Sequence, residues 1–366
     1  MKILTVDVGT GTQDLMLYDT EKDIENSLVM IMPSPTTIVA DRIKKATERR
    51  KNILLRGDVM GGGPSVRAIK DHIDRGYYVY ATEKAALTIN DNIEKIRSMG
   101  IKIVEEDTDP LNYGDPVEIY LQDIEMEAIE NALGSFGVDM PDRISFAVQD
   151  HGNSPDISNR IYRFSIFKQL IDNGGDLAQF AYRINDIPPE FTRMTSAAKN
   201  IAKKRAMKEI IVMDTGPAAI FGALLDTNAV QPAIVVNVGN GHTLIALVDD
   251  NRMVALLEHH TSALEGMAIQ KHIINMAHGT TSFDDIFNEG GHGCHIRYAP
   301  GIEAIMSVMI TGPRRNLLSE LSDKEKDSDL WKKLYFAAPF GNMMLSGCYG
   351  LLTPYIKKCE DETLKR

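Results

Sequence analysis

Asp7-Val8-Gly9-Thr10-Gly11-Thr12 brings a carboxylate, paired glycines and paired hydroxyls into one short stretch. Glycines let backbone N–H groups approach an anion closely, and threonine hydroxyls add donors. A carboxylate beside a phosphate repels it unless Mg²⁺ lies between them. The set fits a Mg-nucleotide phosphate loop with Asp7 toward the metal. It also fits a plain β-hairpin closed by a glycine turn, and the stretch alone does not separate the two.

The flanking elements supply the positioning. Residues 3–6 are apolar and β-branched, and residues 14–18 alternate, which reads as strand, tight turn, strand. A constant shift along the chain places Asp7-Val8-Gly9-Thr10-Gly11-Thr12-Gln13 on Asn237-Val238-Gly239-Asn240-Gly241-His242-Thr243 without a gap. The same shift places Leu17-Tyr18-Asp19 on Leu247-Val248-Asp249. Residues 27–32 and 252–260 each offer a third apolar run. Two such units, each with a Gly-x-Gly turn after its first strand, argue for an internal duplication.

On these residues the chain resembles the actin, Hsp70 and sugar-kinase superfamily of ATPases. Within it, the chain is similar to a mainly archaeal family labelled pyruvate formate-lyase activating protein. The resemblance implies an α/β fold of two duplicated actin-like (ribonuclease H-like) ATPase domains around an interdomain nucleotide cleft. It implies ATP and Mg²⁺ as ligands. Gly9, Thr10, Gly11 and Thr12 would meet the phosphates from one half, and Gly239, Asn240, Gly241, His242 and Thr243 from the other. Asp7 would hold the metal. Asn237 stands where relatives commonly carry Asp, so a metal held mainly from the first half is expected. Gly312, in Thr311-Gly312-Pro313-Arg314-Arg315, takes the position behind the adenosine, with Arg314 or Arg315 stacking on the base. Many relatives have two glycines there, and this chain has one. The domain break is expected near Lys208, giving an N-terminal domain with insertions over 1–208 and a C-terminal domain over 209–366. Gly216-Pro217-Ala218-Ala219 opens a helix whose small residues suit tight interdomain packing, similar to the hydantoinase and oxoprolinase branch.

Other clusters carry chemistry of their own. Residues 144–148 form a buried-strand run ending in Gln149-Asp150-His151-Gly152-Asn153. Polar groups at the carboxyl end of an α/β strand are where ligands bind. Asp150 is the candidate general base and His151 the alternative; an Asx turn closing the strand is the structural reading. Asp58 is the rival carboxylate, just ahead of Gly61-Gly62-Gly63-Pro64, where a helix N-terminus could take an anion. Glu289-Gly290-Gly291-His292-Gly293-Cys294-His295 gathers soft ligands. His292, Cys294 and His295 would suit a metal-dependent hydrolase, completed by His259, His260, His272 or His278. Their spacing is not an established zinc pattern, and a flexible glycine-rich loop is the plainer reading.

Composition bounds the rest. The chain has 366 residues, 43% hydrophobic and 25% charged, enough for two full cores. A net charge of −11 argues against a nucleic-acid partner. No apolar run approaches the ~20 residues that span a bilayer, so no membrane is expected. Only four uncharged residues separate Lys2 from Asp7, too few for a signal peptide, so the expected location is cytoplasmic. A radical activating enzyme needs three thiolates within about eight residues to hold its cluster. Cys294, Cys348 and Cys359 are widely spread, so that chemistry is not expected. The leading expectation is a kinase or ATPase with an unknown small-molecule acceptor. The alternative is a nucleotide-dependent switch acting on a protein partner; self-association as a homodimer stays open. A kinase needs a pocket beyond the γ-phosphate lined by groups such as Asp150, whereas a switch needs a surface patch.

Overall fold

The computed structural model describes residues 1–154 and 157–363, with side chains described up to residue 356. The first half opens with β1 (Lys2–Val8), β2 (Thr12–Asp19) and β3 (Leu28–Pro33), joined as an antiparallel meander. Between this meander and the rest of its sheet come β4 (Ile53–Gly57), β5 (Val79–Thr82), β6 (Ile101–Val104) and β7 (Val117–Leu121). These four form a separate, wholly parallel sheet in the order β6-β5-β4-β7. Its own core includes Ile43, Ile53, Leu55, Ile69 and Val79. Parallel strands need crossovers, and helices such as Pro64–Asp74 provide them.

The first sheet is then completed by β8 (Arg143–Val148), β9 (Ala181–Arg183) and β10 (Glu209–Met213). Its order is β3-β2-β1-β8-β10-β9, with β8 parallel to β1 and β10 parallel to β8. The second half contributes β11 (Ala233–Val238), β12 (His242–Asp249), β13 (Arg252–His260), β14 (Gly293–Ile296), β15 (Ser307–Thr311) and β16 (Leu334–Phe336). Their order is β14-β13-β12-β11-β15-β16.

The duplication extends to individual hydrogen bonds. Asp7 pairs with Asp14 in the first meander, and Asn237 with Leu244 in the second. Gly9 N–H donates to Thr12 O at 2.9 Å, and Gly239 N–H to His242 O at 3.0 Å. Gly11 O accepts from Ser34 N and Gly241 O from Thr261 N, each at 3.0 Å.

Two helices fill the space between the sheets. Thr215–Ala223 and Ser346–Thr363 cross where Gly222 meets Ser346 and Gly350 meets Ala218, contacts that leave no room for a side chain. The same buried core holds Ile3 and Met16 from the first sheet with Val235 and Leu244 from the second.

The break expected near Lys208 does not coincide with the division between the sheets. β10 begins after Lys208 yet is hydrogen-bonded into the first sheet, and the chain enters the second sheet only at Ala233. The last strand stops at Phe336, ahead of Pro339, which has no N–H to donate, and of Phe340 at φ 49°. The closing helix starts at Ser346, after a short turn over Met343–Leu345. Among the described residues no helix is long and apolar enough to cross a membrane.

Candidate functional site

The glycine turns face each other. A cavity of about 110 Å³ is lined by Gly9 to Thr12 on one side and by Asn237 and Gly239 to His242 on the other. Gly312, Met343 and Met344 line it too. The turns touch: a Cβ on Gly11 would lie 2.6 Å from Asn240 Nδ2, and one on Gly241 3.1 Å from Thr10 Oγ1. Gly312 has φ 92° and backs directly onto Val238 O and Asn237 Oδ1, a conformation and a closeness that require glycine. Thr243 is buried, its hydroxyl paired with Thr261 at 3.0 Å, and it lines neither this cavity nor the larger one below. Arg315 lies over the Phe336 ring and donates to Ala337 O. Neither Arg314 nor Arg315 lines the cleft.

Asp7 sits at the floor of this cleft. Thr215 Oγ1 donates to its Oδ1 at 2.5 Å, and its carboxylate rests against Gly347, where any side chain would overlap it. Burial pushes the Asp7 carboxyl up to about 6, partly offset by the Thr215 hydrogen bond. Asp14, opposite it in the β1–β2 register, is buried, and its Oδ1 has no hydrogen-bond partner. Burial and the Asp7 charge push Asp14 up to about 7. Two adjacent carboxylates short of positive charge are a place for a cation.

Behind the turns a buried charge network joins both halves. Arg163 donates to Asp214 through both terminal nitrogens, at 2.5 and 2.9 Å, and through Nε to Glu258 at 2.9 Å. Burial alone would raise Glu258, but the Arg163 guanidinium holds it well below the carboxylate range. Gln149 Nε2 donates to Glu258 Oε1 at 2.9 Å.

A second cavity, about 660 Å³, opens beside the first turn. Gly9, Thr10, Gln149, Asp150, His151, Arg193 and His242 line it, and the inserted parallel sheet supplies Met60 to Gly63 and Leu87 to Asn92 as the far wall. Asp150 accepts N–H bonds from Gly152 and Met194, both at 2.9 Å. The Gly152 bond closes an Asx turn, and burial pushes the carboxyl up to about 6. Asp58 lines neither cavity; its carboxylate is held by Lys84 and Asn200.

The soft ligands at residues 292–295 do not converge. Strand alternation in β14 sends Cys294 into the second-half core and His295 outward to Asp172 at 2.7 Å. Burial pushes the Cys294 thiol up to about 12. His292 instead meets His151 and His242, one ligand atom of each lying within 4.8 Å of the others. Burial holds His242 down to about 4 and His292 to about 3, so both imidazoles are neutral. Sequence reasoning missed Asp14, Arg163, Asp214 and Glu258; a charged residue inside the apolar run of β13 was the available signal for Glu258.

Two sheets sharing a five-strand order and register, with matching glycine turns facing a shared cleft, define an actin-like ATPase fold. The chain belongs to the family described as "Putative pyruvate format-lyase activating enzyme (DUF1786)", whose model matches residues 60–317. No curated protein matches the sequence. Among solved structures it is similar to the ethanolamine utilization protein EutJ from Carboxydothermus hydrogenoformans, at 12% identity over 96% of this chain and 89% of that one, TM-score 0.30. It is similar to the activator of the 2-hydroxyisocaproyl-CoA dehydratase from Clostridium difficile with bound ADPNP, at 9% identity, covering 100% and 97%, TM-score 0.32. A glucokinase from Balamuthia mandrillaris in complex with glucose aligns at 8% identity, covering 96% and 93%, TM-score 0.35. The family description names an activating enzyme, yet Cys294 and Cys348 lie in separate cores and do not fit an iron–sulfur cluster. The Cys359 side chain lies outside the described residues.

Proposed function

We propose that this protein binds Mg-ATP between Gly9–Thr12 and Gly239–His242 and transfers the terminal phosphoryl group to a small molecule, or to water. The observation that carries this reading is the 660 Å³ cavity sharing Gly9, Thr10 and His242 with the cleft. Pockets for small ligands run about 300–1,000 Å³, so this cavity suits an acceptor and the 110 Å³ space between the turns is too tight for a whole nucleotide. Nucleotide entry then requires the halves to part.

The residues present fit the ligand. Asp7 and Asp14 offer negative charge to Mg²⁺, and the glycine turns bring backbone close enough to orient phosphates. Gly312 lines the cleft where the nucleoside would lie. Mg-ATP, when bound, supplies the transferable phosphoryl group. Asp150 is the carboxylate that lines the acceptor cavity, and we assign it the general-base role ahead of Asp58. We place the division between two domains in the connection after Ala223 and the protein in the cytoplasm, which sparse cysteines support.

Isothermal titration of wild type and Asp7→Ala with Mg-ATP tests the binding step. Wild type should bind and the variant should lose most of that affinity while melting normally. Equal binding by both removes Asp7 from the site. ADP release measured against a panel of small hydroxylic and carboxylic acceptors tests the transfer step. Slow release that no acceptor stimulates favours the switch reading.

A further inference from the structure

We infer that His151, His242 and His292 form a binding site for one divalent transition-metal ion of the zinc class, with an open coordination position facing the larger cavity. This goes beyond the nucleotide reading and does not rest on it.

The three histidines come from separate segments: His151 follows β8, His242 opens β12 and His292 precedes β14. One ligand atom of each lies within 4.8 Å of the other two. Nitrogens bound tetrahedrally at 2.0–2.1 Å sit about 3.4 Å apart, so small ring rotations close the set on one ion. The rings are not stacked. His242 and His292 stand at 81°, His151 and His242 at 61°, and His151 and His292 at 43°.

Hydrogen bonding supplies an independent observation. His292 is 1% exposed, and neither of its ring nitrogens has a partner. His242 Nε2 has none either. A core histidine kept for packing normally pairs at least one nitrogen, because a buried polar atom left without a partner forfeits its hydration with nothing in return. An orphaned nitrogen on each of His242 and His292, with a His151 nitrogen in the same group, fits a ligand that accepts lone pairs.

The surroundings suit a cation of that class. The Arg163 charge behind the histidines is outweighed by Asp214 and Glu258, while Arg160 is held by Gly291 O beside His292. Glu258 Oε1 lies 3.9 Å from His292 Nδ1 and is fixed by Gln149, the kind of carboxylate that orients a metal-bound imidazole. Imidazole donors favour zinc, iron, cobalt, nickel or copper over Mg²⁺, which takes oxygen ligands. The site is therefore chemically distinct from the Asp7–Asp14 pair. His151 and His242 line the 660 Å³ cavity, which gives the ion an entry path and directs its free position toward an oxygen donor there, water or ligand.

The test uses the full-length protein stripped with chelator and titrated with Co²⁺, following its visible ligand-field absorption. One equivalent should bind per chain, be displaced by Zn²⁺, and raise the melting temperature. His292→Gln and His151→Gln should each weaken binding by about 100-fold or more, at or beyond the upper range for losing an outer-shell partner. His295→Gln, outside the cluster, should bind as wild type does. Circular dichroism checks that the variants fold. If His292→Gln does not fold, His151→Gln and the wild-type stoichiometry decide. Wild type without stoichiometric Co²⁺, or folded variants that bind it undiminished, overturns the site. Mg-ATP calorimetry on the same samples separates this result from the fate of the nucleotide reading.

Discussion

Asp14 and Asp150 are the residues whose chemistry is most exposed to measurement. Asp14 keeps its proton in the fold up to about pH 7, whereas an unfolded aspartate releases it near 3.8. The folded state therefore loses stability as pH rises from about 4 toward 7, then levels off. Asp14→Asn removes that slope and should stabilise the nucleotide-free protein by roughly 2–3 kcal/mol at pH 8, with no gain at pH 4. Urea midpoints for both proteins across this range check it; parallel curves would refute the buried-carboxylate account. Asp150→Asn should lower turnover by about 10²–10⁴ with little change in Mg-ATP affinity. Asparagine must also turn its amide toward the Gly152 or the Met194 N–H, so some stability is lost alongside. Asp58→Asn, away from both cavities, should turn over normally; if it alone is impaired, the base assignment moves there. Asp7 was legible because its turn repeats in the second half. His292 was grouped with Cys294 and His295 through chain proximity, but strand alternation separates neighbours and folding joins residues far apart. Arg163 carries no local signal, since its partners Asp214 and Glu258 lie 51 and 95 positions away.

At the scale of elements, the helix Asn159–Asp172 ties the halves together through one guanidinium. Arg163 is 2% exposed and satisfies Asp214 at the start of the helix Thr215–Ala223 together with Glu258 on β13. Arg163→Met preserves most of the volume but leaves two buried carboxylates unpaired. Removing one partner of a buried ion network typically costs about 3–5 kcal/mol, and that loss is expected in chemical unfolding at neutral pH. It should shrink at low pH as the stranded carboxylates protonate. A loss below about 1 kcal/mol at neutral pH would show that the network is dispensable. The meanders and their turns were readable from alternation and glycine placement, which act within a few residues. The parallel sheet β6-β5-β4-β7 leaves no comparable mark in the sequence, because parallel pairing places no turn signature between partners. β10 was assigned across the expected break for a related reason: its pairing with β8 spans a long crossover that composition does not mark.

For the whole molecule, the two cavities set the order of events. The cleft between the turns is nearly shut, with Gly11 against Asn240 and Thr10 against Gly241, while the larger cavity beside it stands open. Each sheet carries one turn, and the helices between the sheets cross on glycines, which allows close packing without interlocking side chains. Such a contact can slide or hinge as a unit when a ligand separates the turns. A nucleotide binding between them stabilises the parted arrangement only through its extra contacts there, so the shape change must be proportionate to binding. Small-angle scattering should therefore show a larger radius of gyration with saturating Mg²⁺ and a non-hydrolysable ATP analogue than without. Hydrogen exchange should fall at residues 9–12 and 239–242 in the same complex, because backbone amides there become phosphate donors. Arg163→Met, which loosens the tie between halves, should shift the nucleotide-free scattering curve toward the bound one. Superimposable curves with calorimetrically proven saturation would mean that the nucleotide enters without parting the turns, and that the closed cleft is not the resting barrier to binding.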